Sequence, residues 1–126
     1  MSEHEIQKAV FQWADIQGRV ARFRGLRLMY AVPNAGKRSK AVAGMMLAEG
    51  LKKGVPDVVL PVARGGYHGA YLEFKTAKGR VRPEQKEWLA SLAEEGYFAA
   101  VVRSFDEATT MLADYMQGYL VRDEAA

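Results

Sequence analysis

Helical and extended patterns of apolar residues take turns along this chain. Ile6, Ala9, Val10 and Trp13 follow i, i+3, i+4, i+7 behind a Ser2/Glu5 pair with capping-box spacing, which predicts an N-terminal helix ending near Gly18. Leu26 to Val32 predicts a first strand, closed by the turn cluster Pro33-Asn34-Ala35-Gly36. Ser39 is placed to cap a second helix through Ala41–Lys52, with Lys52 and Lys53 suited to its C-terminal dipole and Gly54 as terminator. Strands near 55–60 and 69–75 flank a Gly-rich stretch, Arg64-Gly65-Gly66-Tyr67-His68-Gly69, that predicts a hairpin turn. Pro83 opens a third helix, Pro83–Glu95, which Gly96 ends. Tyr97–Val102 is almost wholly apolar and reads as a buried strand, and Ser104 caps a last helix with Ala108, Met111, Leu112 and Tyr115 on one face. The order α-β-α-β-β-α-β-α, with a hairpin and a strand returned through helix 83–95, predicts an α/β fold: a mixed sheet with helices packed on it.

The length of 126 residues suits a single domain spanning 1–126, with Arg122–Ala126 as a frayed end. No apolar run approaches the roughly 20 residues of a membrane span. The N-terminus lacks the basic-then-apolar layout of a signal peptide, so the expected compartment is the cytoplasm. With no cysteine, disulfides and thiolate metal sites are excluded.

The net charge is only +3, but it is unevenly spread. Residues 17–53 hold Arg19, Arg22, Arg24, Arg27, Lys37, Arg38, Lys40, Lys52 and Lys53 against Glu49 alone, whereas residues 104–126 are acidic. A solvated basic surface and a phosphate-binding face both fit this patch. Carboxylates nearby favour the second, because a site that works on a phosphate must hold that anion beside its own acidic groups.

Those carboxylates are Asp57 and Glu73. Asp57 opens the run Val55-Pro56-Asp57-Val58-Val59-Leu60, and Tyr71-Leu72-Glu73-Phe74-Lys75 follows across the turn. In a strand, Glu73 and Lys75 share one face while Leu72 and Phe74 take the other. Antiparallel pairing can bring Asp57 beside Glu73, and a divalent cation is the usual way to stabilise two close carboxylates. Each residue also has a structural reading: Asp57 as a turn aspartate after Pro56, Glu73 and Lys75 as a solvated strand face. His4 and His68 form no metal-ligand spacing, and Asn34–Ser39 departs from a phosphate loop because Ala31 stands where glycine is needed. Trp88, Leu89 and Leu92 suit a core better than a base-stacking platform, and Met45-Met46-Leu47 suits either core or a subunit contact.

Pro56-Asp57 and Glu73-Phe74-Lys75 resemble the PD-(D/E)XK nuclease superfamily. Arg82-Pro83-Glu84-Gln85-Lys86-Glu87-Trp88-Leu89, followed by Gly96-Tyr97 and Val101-Val102, narrows the resemblance to the virus-type replication-repair nuclease (VRR-NUC) family over roughly residues 1–117. The resemblance implies a small restriction-endonuclease-like core and a Mg²⁺- or Mn²⁺-dependent endodeoxyribonuclease. Asp57, Glu73 and the Phe74 carbonyl would hold the metal, and Lys75 would orient a water or stabilise the transition state. Gln85 takes the family's position beside the active site, with an exposed helix residue as its alternative. Glu5 matches the acid contributed by an N-terminal helix, with the Ser2 cap as its alternative. Lys37, Arg38, Lys40, Arg80 and Arg82 would grip DNA phosphates. Small members resemble Holliday-junction resolvases that cut two strands as homodimers, which implies a branched or four-way DNA substrate and a phage or prophage setting. Flap, nick or non-specific cleavage, an inactive DNA-binding module and an assembly protein are the competing readings.

Overall fold

Ile6, Val10 and Ala14 are each at most 4 % exposed and give α1 (Glu3–Gln17) its inward stripe. The expected capping box starts it: the Glu5 N–H donates to Ser2 Oγ, and the Ser2 N–H to Glu5 Oε1, each at 3.1 Å. The computed structural model describes residues 1–33 and 38–123. After α1 come a 3₁₀ segment (Ala21–Leu28), β1 (Tyr30–Ala31), α2 (Lys40–Ala48), β2 (Val58–Leu60), β3 (Ala70–Phe74), α3 (Pro83–Glu94), β4 (Phe98–Val102) and α4 (Phe105–Met116). The sheet order is β1-β2-β3-β4, antiparallel across β1, β2 and β3 and parallel between β3 and β4. This is the expected mixed α/β sheet, with α3 serving as the crossover that a parallel return requires.

The β2–β3 turn is tight. Arg64 and Tyr67 exchange backbone hydrogen bonds of 3.2 and 2.8 Å around Gly65 and Gly66, whose φ of +58° and +89° suit a type I′ hairpin. The chain end lies over it: the Arg122 N–H donates to the Gly65 carbonyl at 2.8 Å, so Arg122 is pinned rather than frayed. Even-numbered positions of β2 and β3 (Val58, Leu60, Ala70, Leu72, Phe74) meet α1, the 3₁₀ segment and α4 in one core. Odd-numbered positions face the opposite side, toward α3.

Several boundaries differ from expectation. Leu26–Leu28 belong to the 3₁₀ segment instead of a strand, because Phe23 and Leu26 bury themselves against α1 and α4. Gly25 permits this approach: a Cβ there would stand 2.9 Å from Met116 Cε. The second helix is Lys40–Ala48, and β2 starts only at Val58, since Pro56 has no N–H to give a ladder. β4 is an edge strand, half-buried from Phe98 to Val101, because among the described residues nothing pairs beyond it. Among the described residues no helix is long and apolar enough to cross a membrane.

Tyr115 links α4 to the sheet: its ring is 1 % exposed and its hydroxyl donates to the Val62 carbonyl at 2.6 Å. Tyr115→Phe is expected to cost about 1–2 kcal/mol, mostly from the stranded carbonyl. Denaturant unfolding would read this as a lower midpoint at unchanged slope, and an unaltered midpoint would contradict it.

Candidate active site

Register does the first work. Val58 pairs with Leu72 in an antiparallel ladder, so the next pair is Asp57 opposite Glu73, with side chains on the α3 side. Residues so placed have Cβ atoms about 5 Å apart. Continuing the register sets Phe74 opposite Pro56, which has no N–H to offer. The Phe74 N–H donates to Asp57 Oδ2 at 2.8 Å, which fixes the Asp57 carboxylate against β3. The Phe74 carbonyl likewise has no ladder donor at position 56.

Glu73 is 2 % exposed. Its Oε2 accepts from Gln85 Nε2 at 3.1 Å and lies 3.8 Å from Lys75 Nζ. The Gln85 Oε1 accepts from the Arg82 N–H at 2.8 Å, so one amide closes the start of α3 and holds Glu73. Glu73 Oε1 is buried without a hydrogen-bond partner among the described residues. An orphaned carboxylate oxygen costs free energy unless something else binds it.

Burial pushes the Glu73 carboxyl up to about 8, helped by the facing Asp57 charge and, more weakly, by Glu3; Lys75 pulls the other way without prevailing. With no cation bound, Glu73 therefore keeps its proton at neutral pH. Folded Glu73 keeps a proton that the unfolded carboxyl, at its ordinary 4.5, releases. Its contribution to stability is thus fully present below pH 4.5 and is lost as pH rises through about 8. Metal-free wild type should melt progressively below Glu73→Gln between those limits, and parallel pH profiles would rule the buried proton out. A cation entering the site must displace that proton, so affinity for Mn²⁺ should rise with pH and level off above about 8. Calorimetry at pH 7 in two buffers of different ionisation enthalpy should show proton release. Identical heats would contradict it.

The donor set fits a hard divalent ion. Two opposed carboxylates, one with an unsatisfied oxygen, and a carbonyl facing a proline offer oxygen ligands only. Among the described residues no group of three or more His, Cys, Asp or Glu side chains is placed to hold a metal. That suits Mg²⁺, which keeps several waters, better than an ion needing a full protein cage.

Lys75 is 6 % exposed and Gln85 is equally buried, so the structure brings both to Glu73. Glu5 it does not bring: that side chain is exposed and committed to the Ser2 cap. The α1 carboxylate whose charge reaches Glu73 is Glu3, which is half-buried. Its signal was in the sequence, since Glu3, Ile6 and Val10 follow i, i+3, i+7 on the inward stripe. Arg103, also missed, donates to the Thr76 and Gly79 carbonyls at 2.9 and 2.7 Å and so ties down the loop from β3 to α3. Arg80 and Arg82 are exposed on that loop, Arg38 and Lys40 are exposed beside α2, and Lys37 lies outside the described residues. A cleft of about 590 Å³ lies at the far end of β4 against Tyr67, Tyr97 and Arg122, and neither Asp57 nor Glu73 lines it.

A family model described as "VRR-NUC domain" matches residues 2–106. A solved structure titled "VRR_NUC domain protein" shares 28 % identity with a TM-score of 0.75, over 93 % of this chain and 89 % of that one. No curated protein matches.

Proposed function

The chain belongs to the VRR-NUC domain family, and from that premise we propose that it is a metal-dependent endonuclease that hydrolyses phosphodiester bonds of branched DNA, in the manner of a Holliday-junction resolvase. Membership in the family implies a nuclease of the PD-(D/E)XK type. The observation that carries the reading is the buried Glu73 carboxylate directly across the ladder from Asp57.

Asp57, Glu73 and the Phe74 carbonyl hold the cation in this reading, with Glu3 adding negative charge from α1 in place of Glu5. A bound Mg²⁺ or Mn²⁺ supplies Lewis-acid charge at the phosphate and a nucleophile at neutral pH. Lys75, at 3.8 Å from Glu73, orients the attacking water or steadies charge on the phosphate. Gln85 keeps Glu73 in one rotamer and so preserves the site's shape. The exposed Arg38, Lys40, Arg80 and Arg82, with Lys37, bind backbone phosphates. Selection then rests on DNA shape and backbone geometry rather than base sequence. A two-fold dimer would match the symmetry of a four-way junction, and a cytoplasmic setting goes with such a substrate.

The test is cleavage of a labelled four-way junction beside matched flap, linear-duplex and single-stranded DNA, with Mg²⁺, Mn²⁺ or EDTA, for wild type and Asp57→Ala. Paired, metal-dependent nicks on the junction alone support the proposal. Cleavage spread over the panel leaves a nuclease of another preference, such as flap or non-specific. Tight binding without cleavage under any metal would replace it with a binding module.

A further inference from the structure

Arg103 bonds to the protein through one corner of its guanidinium. Both hydrogen bonds leave from Nη1, to the Thr76 carbonyl at 2.9 Å and the Gly79 carbonyl at 2.7 Å. Among the described residues Nε and Nη2 have no hydrogen-bond partner, yet neither is sealed from solvent. No described carboxylate lies within ion-pair range of the group, although the side chain is half-buried. A cation that is partly covered and balanced by no acid favours an anion beside it. With Nη1 anchored, the Nε–Nη2 edge is a held fork of parallel donors, the geometry that takes two oxygens of one phosphate.

The sheet sets this fork close to the carboxylates. The parallel register pairs Phe74 with Val102, and the Lys75 N–H donates to the Val102 carbonyl at 3.0 Å, so Arg103 follows level with Lys75. The turn that Arg103 holds begins directly after Lys75. From Thr76 to Arg82 the chain carries Lys78, Arg80 and Arg82 and no acid. Arg82 lies 3.7 Å from Glu84, whereas Lys78 and Arg80 are exposed with no described carboxylate in ion-pair range. On the other flank, the Val32 N–H donates to the Asp57 carbonyl at 2.8 Å, so the chain leaves β1 at this same end of the sheet, and Arg38 and Lys40 follow. The order β1-β2-β3-β4 therefore sends basic segments out on both sides of the Asp57–Glu73 pair.

We propose that Arg103 is a phosphate-binding residue: its Nε and Nη2 take a backbone phosphate of the DNA on the β4 side of the carboxylates, while Nη1 holds the turn from which Lys78 reaches a second phosphate. One side chain thereby fixes the shape of the loop and supplies a contact of its own. Both contacts are to the backbone, so they position the strand without reading its sequence. The inference rests on the nuclease reading for the identity of the ligand, but the contact itself requires binding and no cleavage.

Fluorescence anisotropy of a labelled four-way junction bound by the full chain in EDTA, titrated over a range of salt, provides the test. Lys78→Ala and Arg103→Met should each weaken binding roughly threefold to tenfold and lower the slope of log K against log salt by about 0.9. Their losses should multiply in the double variant, because each residue has its own phosphate. Arg103→Lys keeps the charge and should keep the wild-type slope. One ammonium cannot serve the carbonyls and a phosphate fork together, so its affinity should still fall at least about threefold. Melting curves check the fold, and if Arg103→Met unfolds, Arg103→Lys and Lys78→Ala carry the test. Wild-type affinity in Arg103→Lys, wild-type affinity and slope in Lys78→Ala, or an Arg103→Met loss that vanishes in the Lys78→Ala background would overturn the proposal. Junction cleavage in Mg²⁺ separates the two readings. A wild type that cuts while the Arg103 variants bind normally removes the contact and keeps the nuclease, whereas the expected binding losses in a protein that never cuts do the reverse.

Discussion

Asp57→Asn is expected to reduce junction cleavage by at least about a thousandfold while leaving the fold in place. The amide oxygen of Asn can still accept from the Phe74 N–H, now 2.8 Å from Asp57 Oδ2, so the β2–β3 junction keeps its bond. What disappears is half the anionic charge facing the cation. A metal and its charge stabilisation are worth several kcal/mol of barrier, and each 1.36 kcal/mol is a factor of about ten. The same change removes the second cause of the raised Glu73 pKa, after burial. Glu73 should therefore titrate at lower pH in the variant, and the wild-type loss of stability with rising pH should become shallower. Single-turnover cleavage at saturating DNA, Mn²⁺ calorimetry and melting across pH would measure the three effects. Cleavage within tenfold of wild type would remove Asp57 from the centre of the reading.

Lys75→Met is expected to separate binding from chemistry. The Lys75 stem is buried and its ammonium sits 3.8 Å from Glu73 Oε2, so Met keeps the apolar packing and deletes only the charge. Cleavage should fall by about a hundred- to ten-thousandfold, the range for a group that moves or steadies a proton in the transition state. DNA affinity should hold, because the phosphate-gripping residues lie elsewhere. Metal affinity should weaken modestly at pH 7, since losing the Lys75 charge raises the Glu73 pKa further. Rates must therefore be compared at saturating Mn²⁺. Normal cleavage under those conditions would show that Lys75 only balances charge beneath Glu73.

The local chemistry of this chain was legible residue by residue. Ser2 with Glu5, Ser39, Pro83, Gly96 and Ser104 mark helix ends through bonds that reach only three or four positions, and the structure places all of them at helix boundaries. Glu73 and Lys75 share a face because strand periodicity is exact at two residues. Asp57 opposite Glu73 needed one further step, the hairpin, and Gly65-Gly66 announced it.

What escaped depends on contacts between distant segments. Glu3 and Glu5 both lie in the first turn of α1, and the folded structure leaves Glu3 half-buried and Glu5 exposed on the Ser2 cap. Tyr97–Val102 is as apolar as a central strand, but its place at the edge follows from the parallel crossover, a property of the whole sheet. Leu26–Leu28 had strand-like composition until Phe23 and Leu26 found a better burial in a tighter coil. α2 reads as a core helix by hydropathy, and nothing local says that the domain leaves it uncovered. The sequence by itself determined the elements, their order, the identity of the acidic pair and its lysine, because those depend on backbone periodicity and on turn residues acting within a few positions. Only the tertiary structure decided that burial outweighs Lys75 at Glu73, and that Gln85 and Arg103 brace the walls, because desolvation and long-range register exist only once the chain is folded.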